Sequence, residues 1–230
     1  MFRRVFLTGI IAGLLAGLAL TLVQAFTTVP LILQAEVYET APTGDHAHQP
    51  AAPAHEHPAE SWSPMDGLER SLYTALANIV AGVGFGLLMS ACLALYGKPV
   101  EPRQGVVWGL AGFAVFSLAP SLGLPPEVPG SITAELAARQ TWWFFAVAAT
   151  ALGLWLMVFG RARWMQALGV LALALPHAIG APHAEGGRGQ VPPELAAQFV
   201  AASIATMAIF WALLGWLAGA TFQRLEASSD

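Results

Sequence analysis

The feature that most constrains this chain is its division into six long runs without a formal charge. They extend approximately from Val5 to Val29, Leu72 to Tyr96, Gly105 to Leu122, Gln140 to Phe159, Trp164 to Gly180 and Leu195 to Phe222, the fifth being the shortest. About 20 apolar residues, rising 1.5 Å each, cross the ~30 Å hydrocarbon core of a bilayer. No water is available there for backbone N–H and C=O groups, so a single spanning segment must be a helix. The expected fold is therefore all-α: one polytopic membrane bundle of about six transmembrane helices, with residues 1–230 forming a single domain. Composition agrees, because only 10% of the side chains are charged, against about 25% in soluble domains. Glycines fall inside the apolar runs, notably Gly9, Gly13 and Gly17 in the first, Gly82, Gly84 and Gly86 in the second, and Gly215 and Gly219 in the last. At such spacings glycine lets helix backbones approach closely. The first run exceeds the roughly 7 to 15 apolar residues of a cleaved signal, so it is expected to be a retained helix.

Basic residues stay preferentially in cytoplasmic loops. With both termini cytoplasmic, seven of the ten lie inside (Arg3, Arg4, Lys98, Arg103, Arg161, Arg163 and Arg224), while Arg70, Arg139 and Arg188 lie outside. Eleven of the fourteen acids and all six histidines then face outward. The net charge of -4 leaves no basic footprint for nucleic acid. The single cysteine, Cys92, rules out an intramolecular disulfide. There is no P-loop motif, no His-Glu-x-x-His helix and no nucleophile beside a base, so the chain is not expected to be an enzyme and no cofactor is expected.

Three places concentrate metal-binding chemistry. A His/Pro/Ala-rich insertion over residues 40–68, between the first and second spans, carries two His-x-His pairs, His46 with His48 and His55 with His57. Exposed imidazole has a reference pKa of about 6.5, so near neutral pH it is mostly unprotonated and can ligate a borderline divalent metal. A solvated linker has the same composition. Just beyond the first span, Glu36 and Glu39 share a helical face if the helix continues past a kink at Pro30, where they could receive a hydrated cation. Carboxylates at a helix end in the headgroup layer read the same way. In Pro176-His177-Ala-Ile-Gly180-Ala-Pro182-His183, Pro176 is expected to break the fifth helix and free carbonyls near His177. His177, with His183, would then be an ion-entry ligand, although a histidine capping the helix end is the plainer alternative.

Four segments together carry a resemblance. These are Pro30-Leu-Ile-Leu-Gln-Ala-Glu-Val-Tyr-Glu39, Ala119-Pro-Ser-Leu-Gly-Leu-Pro-Pro-Glu-Val-Pro-Gly130, Arg139-Gln-Thr-Trp-Trp143 and Pro176 to His183. With them the chain resembles, over nearly its whole length, the CbtA family of bacterial cobalt transporter subunits. The resemblance implies a multi-pass protein of the bacterial inner (plasma) membrane and cobalt as the transported ion, supplied to cobalamin biosynthesis. It also implies a small one-span partner, CbtB. The family is described with five spans, whereas six are counted here. A nickel or zinc permease, or a metal-sensing or assembly subunit that transports nothing, would use the same ligands.

Overall fold

The computed structural model of the chain describes residues 1–39, 64–184 and 190–227. The described residues are helical with short connections. In chain order the helices are α1 (Phe2–Phe26), α2 (Thr28–Glu39), α3 (Leu68–Tyr96), α4 (Pro102–Phe113), a π-helical turn (Ala114–Leu118), α5 (Ala119–Gly123), α6 (Leu136–Phe159), α7 (Arg163–Ile179) and α8 (Pro193–Ala227). Helix α4, the π turn and α5 run on as one span.

Two pairs of helices in near backbone contact build the core. Against α1, α3 runs antiparallel. A methyl group on Gly13 would strike the Gly82 carbonyl, and one on Gly86 would strike the Gly9 carbonyl. Helix α4 meets α8 in the same way through Gly105, Gly109 and Gly215. These are the small-residue interfaces expected of membrane helices, where close packing replaces the hydrophobic effect as the source of association. Between the pairs lies a core that includes Leu20, Leu93, Phe210, Trp211, Leu214 and Phe222. The three second-span glycines are not equivalent, since Gly84 has nothing within 4 Å and faces away from the partner.

Polar side chains inside the bundle join helices. The Asn78 amide donates to Gln24 Oε1 at 2.7 Å and to Thr21 Oγ1 at 3.1 Å. Trp211 Nε1 donates to Ser117 Oγ at 3.1 Å. Ser117 lies in the π turn, which ends two residues before Pro120. A proline cannot donate to the carbonyl four residues back and its ring crowds that turn, so widening the helix there relieves the clash.

The start of α1 and the end of α8 lie at one end of the bundle, where Arg4 and Glu226 form a 2.8 Å ion pair and the Arg4 guanidinium stands 3.7 Å from the centre of the Phe222 ring. The opposite end holds α2, the 124–135 link, the end of α7 and the start of α8. These are called the terminal end and the loop end below.

Two expectations about helix breaks change. The first helix turns at Thr27 (φ -117°, ψ -73°), not at Pro30. Pro30 falls in the first turn of α2, where its missing N–H costs nothing, so the break is displaced toward the residues its ring would have crowded. Pro176 does not end the fifth helix either: α7 continues through it to Ile179. Near a helix end, proline removes only the partner of the carbonyl four residues earlier, that of Ala172, and does not free the carbonyls around His177. The stop comes at Gly180, whose φ of 87° and ψ of 151° suit glycine alone.

The run expected as the fifth span is the exception in length. With 17 residues, α7 is ~25 Å long, and among the described residues five helices, not including it, are long and apolar enough to cross a membrane. It packs almost wholly on α6, with Gly153 and Gly169 in mutual contact, and runs back along it toward the loop end.

Candidate functional site

The described candidate ligands gather at the loop end, because each stands at the point where a helix emerges from the bundle. Glu36 lies near the end of α2, whose Ala35 is buried with Val128, Leu195 and Phe199. That apolar contact fixes α2 against the start of α8 and the 124–135 link. Glu36 therefore faces α3, where both of its carboxylate oxygens take a guanidinium N–H of Arg70, one of them at 3.0 Å from Nη1. Arg70 also reaches Asp66 Oδ1 at 3.1 Å. A forked guanidinium–carboxylate pair satisfies both oxygens in plane and neutralises the charge. Glu36 is therefore clamped by a cation belonging to the protein itself. Glu39 follows on the same helix, and its side chain lies outside the described residues.

His177 occupies the last turn of α7 and is half-buried. Its ring stands edge-to-face against Trp142 of α6, with centroids 6.0 Å apart and planes at 67°. Trp142 is only 6% exposed, and its Nε1 has no hydrogen-bond partner among the described residues. The far edge of the indole rests against Gly123 at the end of α5, where a side chain would collide with it. The ends of α5, α6 and α7 thus meet around one indole, with His177 as the imidazole on its rim. His183, beyond Gly180, is exposed. The 124–135 link is tied down beside them by a 2.7 Å ion pair between Glu127 and Arg139. Glu135 caps α6 by accepting from the Ala137 and Ala138 N–H groups, each at 3.0 Å.

The four insertion histidines, His46, His48, His55 and His57, lie outside the described residues. Among those described, no three His, Cys, Asp or Glu side chains come together in a way that could hold a metal ion. The structure thus places Glu36 and His177 at the same end of the bundle, each held by a different partner. Arg70, Asp66 and Trp142 are the neighbours that sequence reasoning missed. For Arg70 a signal existed, since it is one of the few basic residues in an otherwise acidic set of segments. Trp142 looked like any other aromatic residue in a span.

Residues 2–223 match the family model described as a probable cobalt transporter subunit, CbtA. The chain belongs to the CbtA family. No curated protein and no solved structure gives a significant match. The CbtA family is one of transporter subunits, not of enzymes, with cobalt as the ion and further subunits implied by the word itself. The long apolar helices of this CbtA chain fit a multi-pass membrane protein. The family model spans the Glu36 and His177 regions alike.

Proposed function

We propose that this chain is the membrane-embedded subunit of a cobalt importer in the bacterial inner membrane. The terminal end faces the cytoplasm, and the loop end meets the incoming cation. The insertion histidines His46, His48, His55 and His57 collect divalent cobalt by exchanging bound water for imidazole nitrogen. His177, His183, Glu36 and Glu39 receive it where the helices enter the bilayer, and a CbtB-like one-span subunit completes the transporter. The imported ion supplies cobalamin synthesis.

The observation that carries this reading is the match to the CbtA family over residues 2–223. Charge supports the direction: Arg3, Arg4, Lys98, Arg103, Arg161, Arg163 and Arg224 all lie toward the terminal end, and basic residues favour the cytoplasmic face. Co(II) accepts imidazole and carboxylate together, which suits a mixed donor set. A cation that uses Glu36 must first displace the Arg70 guanidinium, so that carboxylate engages only at the cost of a formed ion pair.

The test is uptake of radiolabelled cobalt into proteoliposomes containing this chain with and without its partner subunit, with nickel and zinc as competitors. His177→Ala should lower uptake at least tenfold while the protein remains in the membrane. Unchanged uptake in that variant and in a Glu36→Gln/Glu39→Gln variant would discard the proposed entry site. Cobalt binding without transport, with the partner present, would make the chain a sensing or assembly subunit.

A further inference from the structure

The terminal end holds a set of cations that have no carboxylate partner among the described residues. Among the described residues it carries seven basic side chains and two acidic ones, Glu101 and Glu226. Both carboxylates are engaged. Glu226 pairs with Arg4 at 2.8 Å, and the Glu101 side chain caps its own helix in a reciprocal box with Gln104. Lys98, Arg161 and Arg163 are exposed and have no carboxylate partner among the described residues.

Their position distinguishes these three from the other cations. Helices α6 and α7 form a hairpin that meets the rest of the bundle mainly through the π turn and α5, toward the loop end. At the terminal end the hairpin touches the main bundle through aromatic rings. Tyr96, closing α3, stands 6.4 Å from Phe159, closing α6, and 5.4 Å from Trp108 of α4. Lys98 lies over the Tyr96 ring at 5.5 Å, so its ammonium is held at this seam. Arg161 and Arg163 stand on the turn that follows Phe159, on the other side of the same seam. Trp164, next to Arg163, is 64% exposed, and Phe159 is 45% exposed, as expected of aromatic residues at the interface between acyl chains and headgroups.

We infer that Lys98, Arg161 and Arg163 form a binding site for the headgroup of an anionic phospholipid, whose phosphate bridges the α6–α7 turn to the end of α3. A phosphodiester accepts charge-assisted hydrogen bonds from guanidinium and ammonium together, and basic pockets between membrane helices select anionic headgroups in this way. Acyl chains of the same lipid would lie along the exposed faces of α6 and α7. The ligand thereby holds the hairpin against the main bundle at the end where protein contacts are fewest. This inference does not depend on which ion is transported.

The experiment compares thermal unfolding of the delipidated full-length chain in detergent with added phosphatidylglycerol or cardiolipin, phosphatidylcholine, or inorganic phosphate. Anionic lipid in excess should raise the midpoint by roughly 5 °C through preferential binding to the folded state. Phosphatidylcholine and free phosphate should leave it unchanged. A Lys98→Gln/Arg161→Gln/Arg163→Gln variant should lose the shift, and an Arg3→Gln/Arg224→Gln variant, equal in kind but away from the seam, should keep it. Arg161→Lys/Arg163→Lys should retain most of it, which separates lost charge from a damaged turn. Hydrogen exchange across residues 156–166 should slow on lipid addition in the parent chain and not in the triple Gln variant. Equal shifts in the two Gln variants, equal effects of phosphate and lipid, or no shift in the parent chain would overturn the inference.

Discussion

Arg70 decides what the carboxylates at the loop end are free to do. Its guanidinium is shared between Glu36 and Asp66, and the Arg70 and Glu36 side chains are each 30% exposed. Partial exposure keeps the contribution small, because solvent screens such a pair and most exposed pairs are worth about 0–1 kcal/mol. The forked geometry and the link from α2 to α3 place it toward the upper part of that range. A double-mutant cycle with Glu36→Gln and Arg70→Gln should give a coupling energy of about 0.5–1 kcal/mol, measured as chemical unfolding in detergent. A coupling near zero would mean that the fork contributes nothing in solution. Sequence reasoning found Glu36 and missed Arg70 as its partner. The glycine register that sets Gly13 against Gly82 and Gly9 against Gly86 would, for straight helices, set Arg70 near Ala25, well short of Glu36. Only the turn at Thr27, and the seating of Ala35 on α8, carry Glu36 to Arg70. Local periodicity contains neither event.

At the level of elements, the helices were legible because lipid imposes one rule on every residue in a span, and their ends were not, because each depends on a particular neighbour. Charge-free runs located the long helices to within a few residues. Proline did not mark the breaks, since Pro30 and Pro176 sit near helix ends where the lost hydrogen bond is tolerated. Nor could spacing tell which glycines pack. Gly82 and Gly84 occur in one Gly-Val-Gly sequence, yet only Gly82 faces α1. A side chain there must push against the Gly13 backbone, which cannot rotate aside, and overpacking of this kind costs about 1–3 kcal/mol or more. Gly82→Val should therefore lower the unfolding midpoint in detergent by roughly 4 °C or more, while Gly84→Val should change it by less than about 2 °C. Similar losses in both would mean that α1 and α3 do not pack in this register.

For the whole molecule, the decisive fact is that the ends of α1 and α8 meet. The Arg4–Glu226 pair joins the start of α1 to the end of α8, so between them the chain must pass from one end of the bundle to the other an even number of times. Helix α7 supplies the return: it starts after the turn that closes α6 and ends beside Trp142, close to the start of α6. Its ~25 Å length leaves it a few ångströms short of the ~30 Å hydrocarbon core, a mismatch that local thinning of the bilayer accommodates at a fraction of a kcal/mol per ångström. We propose that α7 crosses as a sixth pass although it is shorter than the other long helices. Labelling distinguishes this from a five-pass chain. Cys92 is the only cysteine, so Cys92→Ala gives a background in which single cysteines can be read with a membrane-impermeant maleimide. Phe2→Cys and Gln223→Cys should label from the same face of the membrane, and His183→Cys and Glu127→Cys from the opposite one. If α7 lay on one surface without crossing, the face reached at residue 223 would change while that at residue 2 would not, and the two terminal labels would fall on opposite faces. The partition of basic residues predicts which face the terminal pair occupies: spheroplasts should leave Phe2→Cys and Gln223→Cys unlabelled until the membrane is opened, and label His183→Cys at once.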